Sequence, residues 1–166
     1  MAKIESFDVT TGVDLQEVDN AINQARKEIA QRFDFKGVLA EIEFNRAENQ
    51  LVLRAQDKSK LEAMWELLAT KMVRRGVSVK NMHRGNVEPA SGDSVRQEVA
   101  MQQGLDTEVA KAIVRAIKDA KLKKVQAAIQ GDTVRISGPS RDELQGVIAM
   151  LKKGDYGVEL KFENYR

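Results

Sequence analysis

The sequence predicts an α+β protein built from two successive βαββαβ units, each a ferredoxin-like arrangement of one antiparallel sheet and two helices. Short stretches with an apolar residue at every second position predict strands, and longer stretches with apolar residues every three or four positions predict helices. These stretches follow the same order in both halves of the chain, and the capping residues of the helices recur with them. The 166 residues suffice for two small domains.

The first unit opens with a strand and a capped helix. Residues 6–11 alternate between apolar and polar side chains, and Gly12 ends the alternation. Asp14, with Glu17 three residues later, is typical of a helix N-terminus. An apolar stripe at helical spacing then continues to about Ala30, which predicts an amphipathic helix.

A hairpin and a second helix complete the first unit. Residues 38–44 and 51–55 alternate on either side of a polar turn, which predicts two antiparallel strands. Residues 59–62 form a capping box, and the basic residues and glycine at 74–76 are typical of a helix C-terminus. On the helix between them, we expect Trp65 to be a core residue, and residues 77–79 begin a further strand.

The segment 85–94 is the best candidate for a linker, because it contains glycines and a proline and has no periodicity. We therefore expect a first unit at residues 1–88 and a second at 89–166.

The second unit repeats the order of the first. A strand at 95–101 precedes a helix that opens at Asp106, and the segments at 125–129 and 134–136 predict a hairpin. A helix capped by Ser140 and a strand at 158–162 follow.

Composition and charge narrow the function. The chain has 27 Lys and Arg against 25 Asp and Glu, which is too balanced for a polybasic nucleic-acid-binding protein. It has no cysteine, which excludes thiolate catalysis and zinc–cysteine sites. No apolar run approaches the length of a membrane span, and the first residues do not resemble a signal peptide. We therefore expect a cytoplasmic protein without a membrane partner.

The residues that catalysis needs are not visible in the pattern. His83 is the only histidine, and we expect it to be exposed and unconnected to a nucleophile or a metal. Neither a G-x-x-x-x-G-K-[ST] loop nor a G-x-G-x-x-G helix start is found. We therefore predict a binding protein rather than an enzyme, with no catalytic residues, metal or cofactor.

RNA recognition is the natural alternative for this fold, because RRM domains stack bases on aromatic residues of their central strands. The corresponding segments here, 50–54 and 133–137, contain no aromatic residue. The open sheet faces are expected to carry both signs of charge, which favours an ordinary solvated surface over RRM-like stacking.

Several blocks of the sequence resemble the bacterial YajQ family over nearly the whole chain. In the first half these are residues 6–9, 13–17 and 32–37, and in the second half residues 117–123, 125–132, 134–138 and 140–145. The resemblance implies two ferredoxin-like domains with exchanged N-terminal strands, in which strand 6–11 joins the second sheet and strand 95–101 joins the first.

The same resemblance implies nucleotide binding. Some members of the family are described as cyclic di-GMP effectors that act through protein partners, and others as nucleotide or nucleic-acid binders. The expected ligand is therefore a nucleotide such as cyclic di-GMP, GTP or ATP. An RNA or tRNA bound by a shape-reading basic surface is the alternative.

The candidate nucleotide site follows the first helix of each half. Arg32 and Lys36 suit phosphate and Asp34 suits a guanine edge, while Lys121, Lys123 and Arg135 are predicted secondary phosphate contacts. The structural alternative for the first of these segments is that its two phenylalanines, at 33 and 35, fill the core while the charged side chains stay in solvent.

Overall fold

The computed structural model describes residues 3–166, and within this range it contains four α-helices, three short 3₁₀ helices and two four-stranded antiparallel sheets. The predicted α+β class with two ferredoxin-like domains is confirmed. In chain order the elements are β1 (Glu5–Thr10), α1 (Leu15–Gln31), β2 (Ala40–Asn45), β3 (Gln50–Ala55), α2 (Lys58–Arg74), β4 (Met82–Ala90), β5 (Ser94–Met101), α3 (Thr107–Asp119), β6 (Gln126–Gln130), β7 (Thr133–Gly138), α4 (Arg141–Lys153) and β8 (Lys161–Glu163).

The chain divides into two compact units that do not coincide with its halves. We call Val13–Gln102 the middle unit, and the described residues up to Gly12 together with Gln103–Arg166 the terminal unit. The middle unit holds α1, α2 and the sheet β2-β3-β5-β4, and the terminal unit holds α3, α4 and the sheet β6-β7-β1-β8.

The first strand of each half lies inside the sheet formed by the other half. β1 pairs with β7 on one side, where Phe7 lies opposite Ile136, and with β8 on the other. β5 lies between β3 and β4, where Leu53 faces Gln97 across the β3–β5 pair. Each of these two strands therefore supplies backbone hydrogen bonds to two neighbours.

Each unit has its own hydrophobic core between its helices and one face of its sheet. In the middle unit Leu51 and Leu53 of β3 are fully buried beneath Met64 and Leu68 of α2. In the terminal unit the fully buried side chains include Phe7, Val9, Ile113, Val134, Ile136, Val147 and Leu151. Aliphatic side chains thus fill most of both cores, as the low aromatic content requires.

The predicted linker is wrong, because residues 85–90 belong to strand β4 and only residues 91–93 turn the chain into β5. The pairing of β4 with β5 shifts register between Arg84 and Val87, and this bulge interrupts the alternation by which strands are recognised. Pro89 also lies in β4, which is tolerated because β4 is an edge strand. The strand expected at residues 77–79 is a short 3₁₀ helix at Val79–Asn81 instead.

The second helix begins two residues earlier than its apparent capping box. Its N-cap is Asp57, whose carboxylate accepts a hydrogen bond from the backbone nitrogen of Lys60 at 2.8 Å. Glu62, the expected capping partner of Ser59, forms a salt bridge with Arg84 of β4 instead.

Trp65 lies at the edge of the core and not within it. Its side chain is partly buried against the core of the middle unit, and the guanidinium carbon of Arg84 lies 4.9 Å from its ring centroid. The same guanidinium bonds to Glu62 and to the side chain of Gln97. Arg84 therefore ties α2 to β4 and β5 while it covers the indole.

The strand pairing predicts which fragments of the chain fold. Residues 13–102 contain every strand of the middle sheet, so we expect this fragment alone to unfold cooperatively in urea, as followed by circular dichroism. Residues 1–88 lack β5, which leaves β3 and β4 without the strand between them. A cooperative transition for 1–88, or none for 13–102, would contradict the pairing.

Candidate functional site

The first predicted segment forms a compact turn at the end of α1. Arg32 caps the helix in an extended conformation, and its backbone nitrogen donates to the carbonyl of Glu28 at 2.9 Å. Residues 33–35 then make one 3₁₀ turn. Gly37 has a φ of 69°, a left-handed value that disfavours other residues. We call residues 32–37 the cationic turn.

The two phenylalanines of the cationic turn have opposite environments. Phe35 is 4% exposed and belongs to the core of the middle unit, whereas Phe33 is 88% exposed. The expectation that both rings fill the core is therefore right for Phe35 and wrong for Phe33. The 3₁₀ turn explains the difference, because residues two apart in such a turn lie on different sides.

Arg32 and Asp34 bind each other. The guanidinium donates two hydrogen bonds to the carboxylate, from Nε to Oδ1 at 3.0 Å and from Nη2 to Oδ2 at 2.8 Å. These bonds from Arg32 hold the pKa of Asp34 below its ordinary value and raise the pKa of Arg32. A planar two-bond pair of this kind fixes both side chains, so both are already occupied within the turn.

Lys60 of α2 anchors the same turn from a second element. Its ammonium group donates to the backbone carbonyl of Asp34 at 2.6 Å and lies 5.5 Å from the ring centroid of Phe35. The guanidinium of Arg32 lies 5.3 Å from the same centroid. Two cations therefore flank one buried ring, which adds positive charge to a turn that α1 and α2 hold in place.

A groove of about 870 Å³ runs beside the cationic turn, between α1 and the edge strand β2. We call it the first groove. Its apolar lining includes Ile29, Phe35, Val38, Ala40, Ile42 and Phe44. Its polar lining comprises Arg26, Lys36, Glu41, Glu43 and Arg54.

The polar residues of the first groove differ in how far they are engaged. Arg26 donates to the backbone carbonyl of Ile42 in β2, and Arg54 forms a salt bridge with Glu43 at 3.2 Å. Lys36 and Glu41 are exposed, and within residues 3–166 neither forms a salt bridge. Lys36 and Glu41 therefore offer one ammonium and one carboxylate to a ligand.

Lys121 and Lys123 lie at the equivalent place in the terminal unit. They line a groove of about 540 Å³ between the end of α3 and the edge strand β6, together with Lys118. We call it the second groove. Its remaining lining is largely apolar and comprises Val114, Ile117, Leu122, Val125, Gln126 and Ala127.

Arg135 lies on the open face of the terminal sheet and binds Asp8. Its Nε donates to Oδ1 of Asp8 at 2.9 Å, and the side-chain nitrogen of Asn164 donates to Oδ2 at 2.8 Å. The hydrogen bond from Arg135, followed by that from Asn164, lowers the pKa of Asp8, although burial acts in the opposite direction. Asp8 is only 7% exposed and is already bonded to Arg135 and Asn164, so the pair is packed into the open face of the sheet.

The open face of the middle sheet carries cationic and acidic side chains that form salt bridges with one another. Arg96 of β5 lies 3.3 Å from Glu98 and 3.7 Å from Glu88, and Arg54 is paired with Glu43. The central strands β3 and β5 contain no aromatic residue. The mixed-charge surface expected from the sequence is therefore present, and an RRM-like row of stacking rings is not.

Candidate metal ligands do not cluster in the described part of the chain. No group of three or more acidic, histidine or cysteine side chains within residues 3–166 is placed to hold a metal ion. His83 is exposed on β4 with a ring nitrogen 2.6 Å from the side-chain oxygen of Gln102. None of the helices in the same range has the length and apolar character needed to cross a bilayer.

The structure separates the six predicted site residues into three places. Arg32, Asp34 and Lys36 share the cationic turn, Lys121 and Lys123 share the second groove, and Arg135 lies on a sheet face. Sequence reasoning missed Arg26 and Glu41, which line the first groove. Arg26 lies twelve residues after the helix cap Asp14, as Lys118 lies twelve after Asp106, so the repeat of the two halves contained a signal for it.

Comparison with known proteins gives one consistent result. A family model described as nucleotide-binding protein YajQ-like matches residues 5–166. A nucleotide-binding protein of Chloroherpeton thalassium is 49% identical over all of both chains. Proteins with the same description from Heliobacterium modesticaldum and Magnetococcus marinus are 48% and 52% identical, over 100% and 97% of this chain and 99% and 98% of theirs. These names describe binding and mention no reaction.

The Asp8–Arg135 pair predicts a pH dependence of stability. Because the folded-state pKa of Asp8 is lowered, its contribution is present above the unfolded value of about 3.9 and is lost as the pH falls through the folded value. We expect Asp8→Asn to reduce the free energy of unfolding by about 1–3 kcal/mol at pH 7, and by much less near pH 2. Urea unfolding at both pH values measures this difference.

Glu163→Gln is the matched control, because Glu163 is exposed and lies opposite Asp8 across the β1–β8 pair. If Asp8→Asn lowered the free energy of unfolding by the same amount at both pH values, the charge of Asp8 would not be the source of the stabilisation.

Proposed function

Because the chain belongs to the YajQ-like family of nucleotide-binding proteins, we propose that it binds a purine nucleotide in the first groove, beside the cationic turn. The observation that carries this proposal is the composition of that groove. Its volume of about 870 Å³ lies within the range of small-molecule sites, and it combines an apolar floor with a few converging polar groups.

The phosphate contacts in this proposal are Lys36 and Arg26. Lys36 lies at the end of the cationic turn and is exposed at the groove, so its ammonium group can approach a phosphate without giving up an ion pair. Arg26 donates from Nη2 to the carbonyl of Ile42 and from Nη1 to the side-chain oxygen of Asn23 at 3.3 Å, and these two bonds use two of the five N–H donors of its guanidinium. Both cations are needed because phosphate recognition relies on charge-assisted hydrogen bonds.

The base is proposed to lie on the apolar floor, against Phe44 and the edge of Phe35. A purine is flat and apolar on its faces, which suits aromatic and aliphatic neighbours. Glu41 would accept hydrogen bonds from the N–H groups of a guanine edge. We give this role to Glu41 in place of Asp34, because both carboxylate oxygens of Asp34 already bind Arg32.

Arg32 and Asp34 stabilise the cationic turn and are not assigned a contact with the ligand. Their mutual pair, the bond from Lys60 to the carbonyl of Asp34 and the buried ring of Phe35 fix the cationic turn on α1 and α2. A turn fixed before binding loses little conformational entropy when a ligand arrives. In this proposal their effect on affinity is therefore indirect.

A wider role is also part of the proposal. Cyclic di-GMP is a candidate ligand because it has two guanine bases and a phosphodiester backbone, and an effector of this kind would act in the cytoplasm through a protein partner. Lys121, Lys123 and Arg135 stay predicted phosphate contacts, to be tested separately from the first groove. RNA is the competing ligand, and the binding experiment distinguishes it.

The test is calorimetric titration of the full chain with GMP, GTP, ATP, cyclic di-GMP and tRNA, at two salt concentrations. We expect at least one purine nucleotide to saturate one site, and Lys36→Ala to weaken that binding by roughly ten- to a hundredfold, as for the loss of one charge-assisted contact. Lys27→Ala is the matched control, because Lys27 lies on α1 outside the first groove and is exposed.

Three results would contradict the proposal. The first is saturable binding that Lys36→Ala leaves unchanged, and the second is the absence of binding by all four nucleotides. The third is binding of tRNA alone with an affinity that falls steeply as salt increases, which would favour the RNA alternative.

A further inference from the structure

The four outer strands of the two sheets differ in how they are protected from pairing with another chain. An edge strand presents unpaired backbone groups, and proteins normally blunt such edges with charges, proline, bulges or short length. Among the described residues β8 has only three residues, and β4 contains Pro89 and a bulge. β2 carries Glu41 and Glu43, and Arg26 covers its Ile42 carbonyl.

β6 has none of these protections. It comprises Gln126, Ala127, Ala128, Ile129 and Gln130, without a charge or a proline, and it pairs with β7 without a register shift. It forms one edge of the terminal sheet. Ile129 is 44% exposed, which is unusual for a large aliphatic side chain on the helix-covered side of a sheet.

The hairpin geometry shows which backbone groups of β6 point outward. Gln130 and Thr133 flank a two-residue turn, so they form a hydrogen-bonded pair. Hydrogen-bonded pairs recur at every second position of an antiparallel ladder, so Ala128 and Arg135 form the next one. The N–H and C=O groups of Ala127 and Ile129 therefore point away from β7. These groups are placed to pair with an added strand.

The second groove lies beside this edge on the helix side. Ala127 lines it together with Val114 and Leu122, and Ile129 lies on the same side of the strand. The side chains of an added strand that point toward the helices would therefore enter an apolar groove. Lys118, Lys121 and Lys123 also line the groove, and none of its lining residues is acidic.

We propose that β6 and the second groove form a docking site for an extended peptide whose helix-facing side chains, at every second position, are apolar and acidic in turn. The peptide adds a strand to the sheet through the outward groups of Ala127 and Ile129. Its apolar side chains enter the groove, and its carboxylates meet the three lysines. Backbone pairing supplies affinity in this mode of recognition, and the flanking groove and charges supply specificity.

Charge complementarity selects this occupant over a second copy of the chain. The five residues of β6 contain no acidic side chain that could meet the lysines of another copy. A pairing of two five-residue strands is also small compared with the roughly 1,200 Å² that a stable interface buries. The first groove does not suit an acidic added strand in the same way. Glu41 and Glu43 line it, and Arg26 covers an outward carbonyl of its edge strand.

The probe is a nine-residue valine–glutamate peptide with both ends blocked, in which valine and glutamate occupy the odd positions in turn and threonine occupies the even positions, so that both residue types face the groove. It is titrated into the ¹⁵N-labelled full chain without nucleotide. We expect the amide resonances of Ala127 and Ile129 to shift and their hydrogen exchange to slow. A valine–lysine peptide of the same length should bind at least tenfold more weakly. The same valine–glutamate peptide with N-methyl groups on its pairing edge should not bind at all.

Two pairs of variants separate pairing from charge. Ala127→Pro removes an outward N–H while leaving the ladder to β7, and should weaken binding at least tenfold relative to Ala127→Val, which also enlarges the side chain but keeps the N–H. Lys118→Glu should weaken binding roughly three- to tenfold, since one attraction becomes a repulsion. Lys153→Glu is its control, because both lysines are exposed in the last turn of a helix of the terminal unit.

The proposal is wrong if the valine–glutamate peptide shifts no resonance up to its solubility limit, or shifts resonances outside β6 and the second groove. Equal binding of the N-methylated peptide would exclude strand addition. Concentration-dependent shifts of β6 in the absence of peptide would show that a second copy is the occupant. Each variant is first checked for an unchanged pattern of dispersed resonances, so that a loss of fold is not read as a loss of binding.

Discussion

The pairing of β5 between β3 and β4, and of β1 between β7 and β8, is the constraint on which the rest of the structure depends. A strand inside a sheet must satisfy its backbone groups on both sides, and its apolar face must meet the helices. Because both strands lie in the sheet formed by the other half of the sequence, the chain passes from the terminal unit to the middle unit at residue 13 and back at residue 103. The core of the terminal unit is complete only when β1, from the start of the chain, has joined β7 and β8, whereas the middle unit is one continuous segment.

The two units share the same arrangement of helices and strands, but the side chains that line their grooves differ in charge. In each, a groove lies between the first helix and the outer strand of the hairpin, with a cation twelve residues after the helix cap. In the middle unit that cation is Arg26, which binds the edge strand. In the terminal unit it is Lys118, and the edge strand lacks charge altogether. A repeated fold has thus produced one groove of mixed charge and one that is cationic and apolar.

Charge pairing decides which cations are available to a ligand. Arg54, Arg96 and Arg135 are paired with carboxylates on the open sheet faces, and Arg32 is paired with Asp34. The net charge of +2 is set by composition, with 27 Lys and Arg against 25 Asp and Glu, whereas local pairing decides which of these charges are engaged. Within residues 3–166 the lysines at the two grooves form no salt bridge, and they are among the cations that remain for anions.

The sequence by itself determined the fold class, the repeat and most element positions, because alternation, helical spacing and caps such as Asp14, Asp106 and Ser140 are local properties. It also marked the cationic turn as unusual. The sequence did not predict strand β4, since a bulge and Pro89 break its alternation of apolar and polar residues. Only the tertiary structure decided that Arg32 binds Asp34, that Phe33 is exposed while Phe35 is buried, and that Arg26 and Glu41 line one groove. Such contacts depend on which side chains the packing of α1, α2 and β2 brings within a few ångströms of one another, and no local pattern encodes that distance.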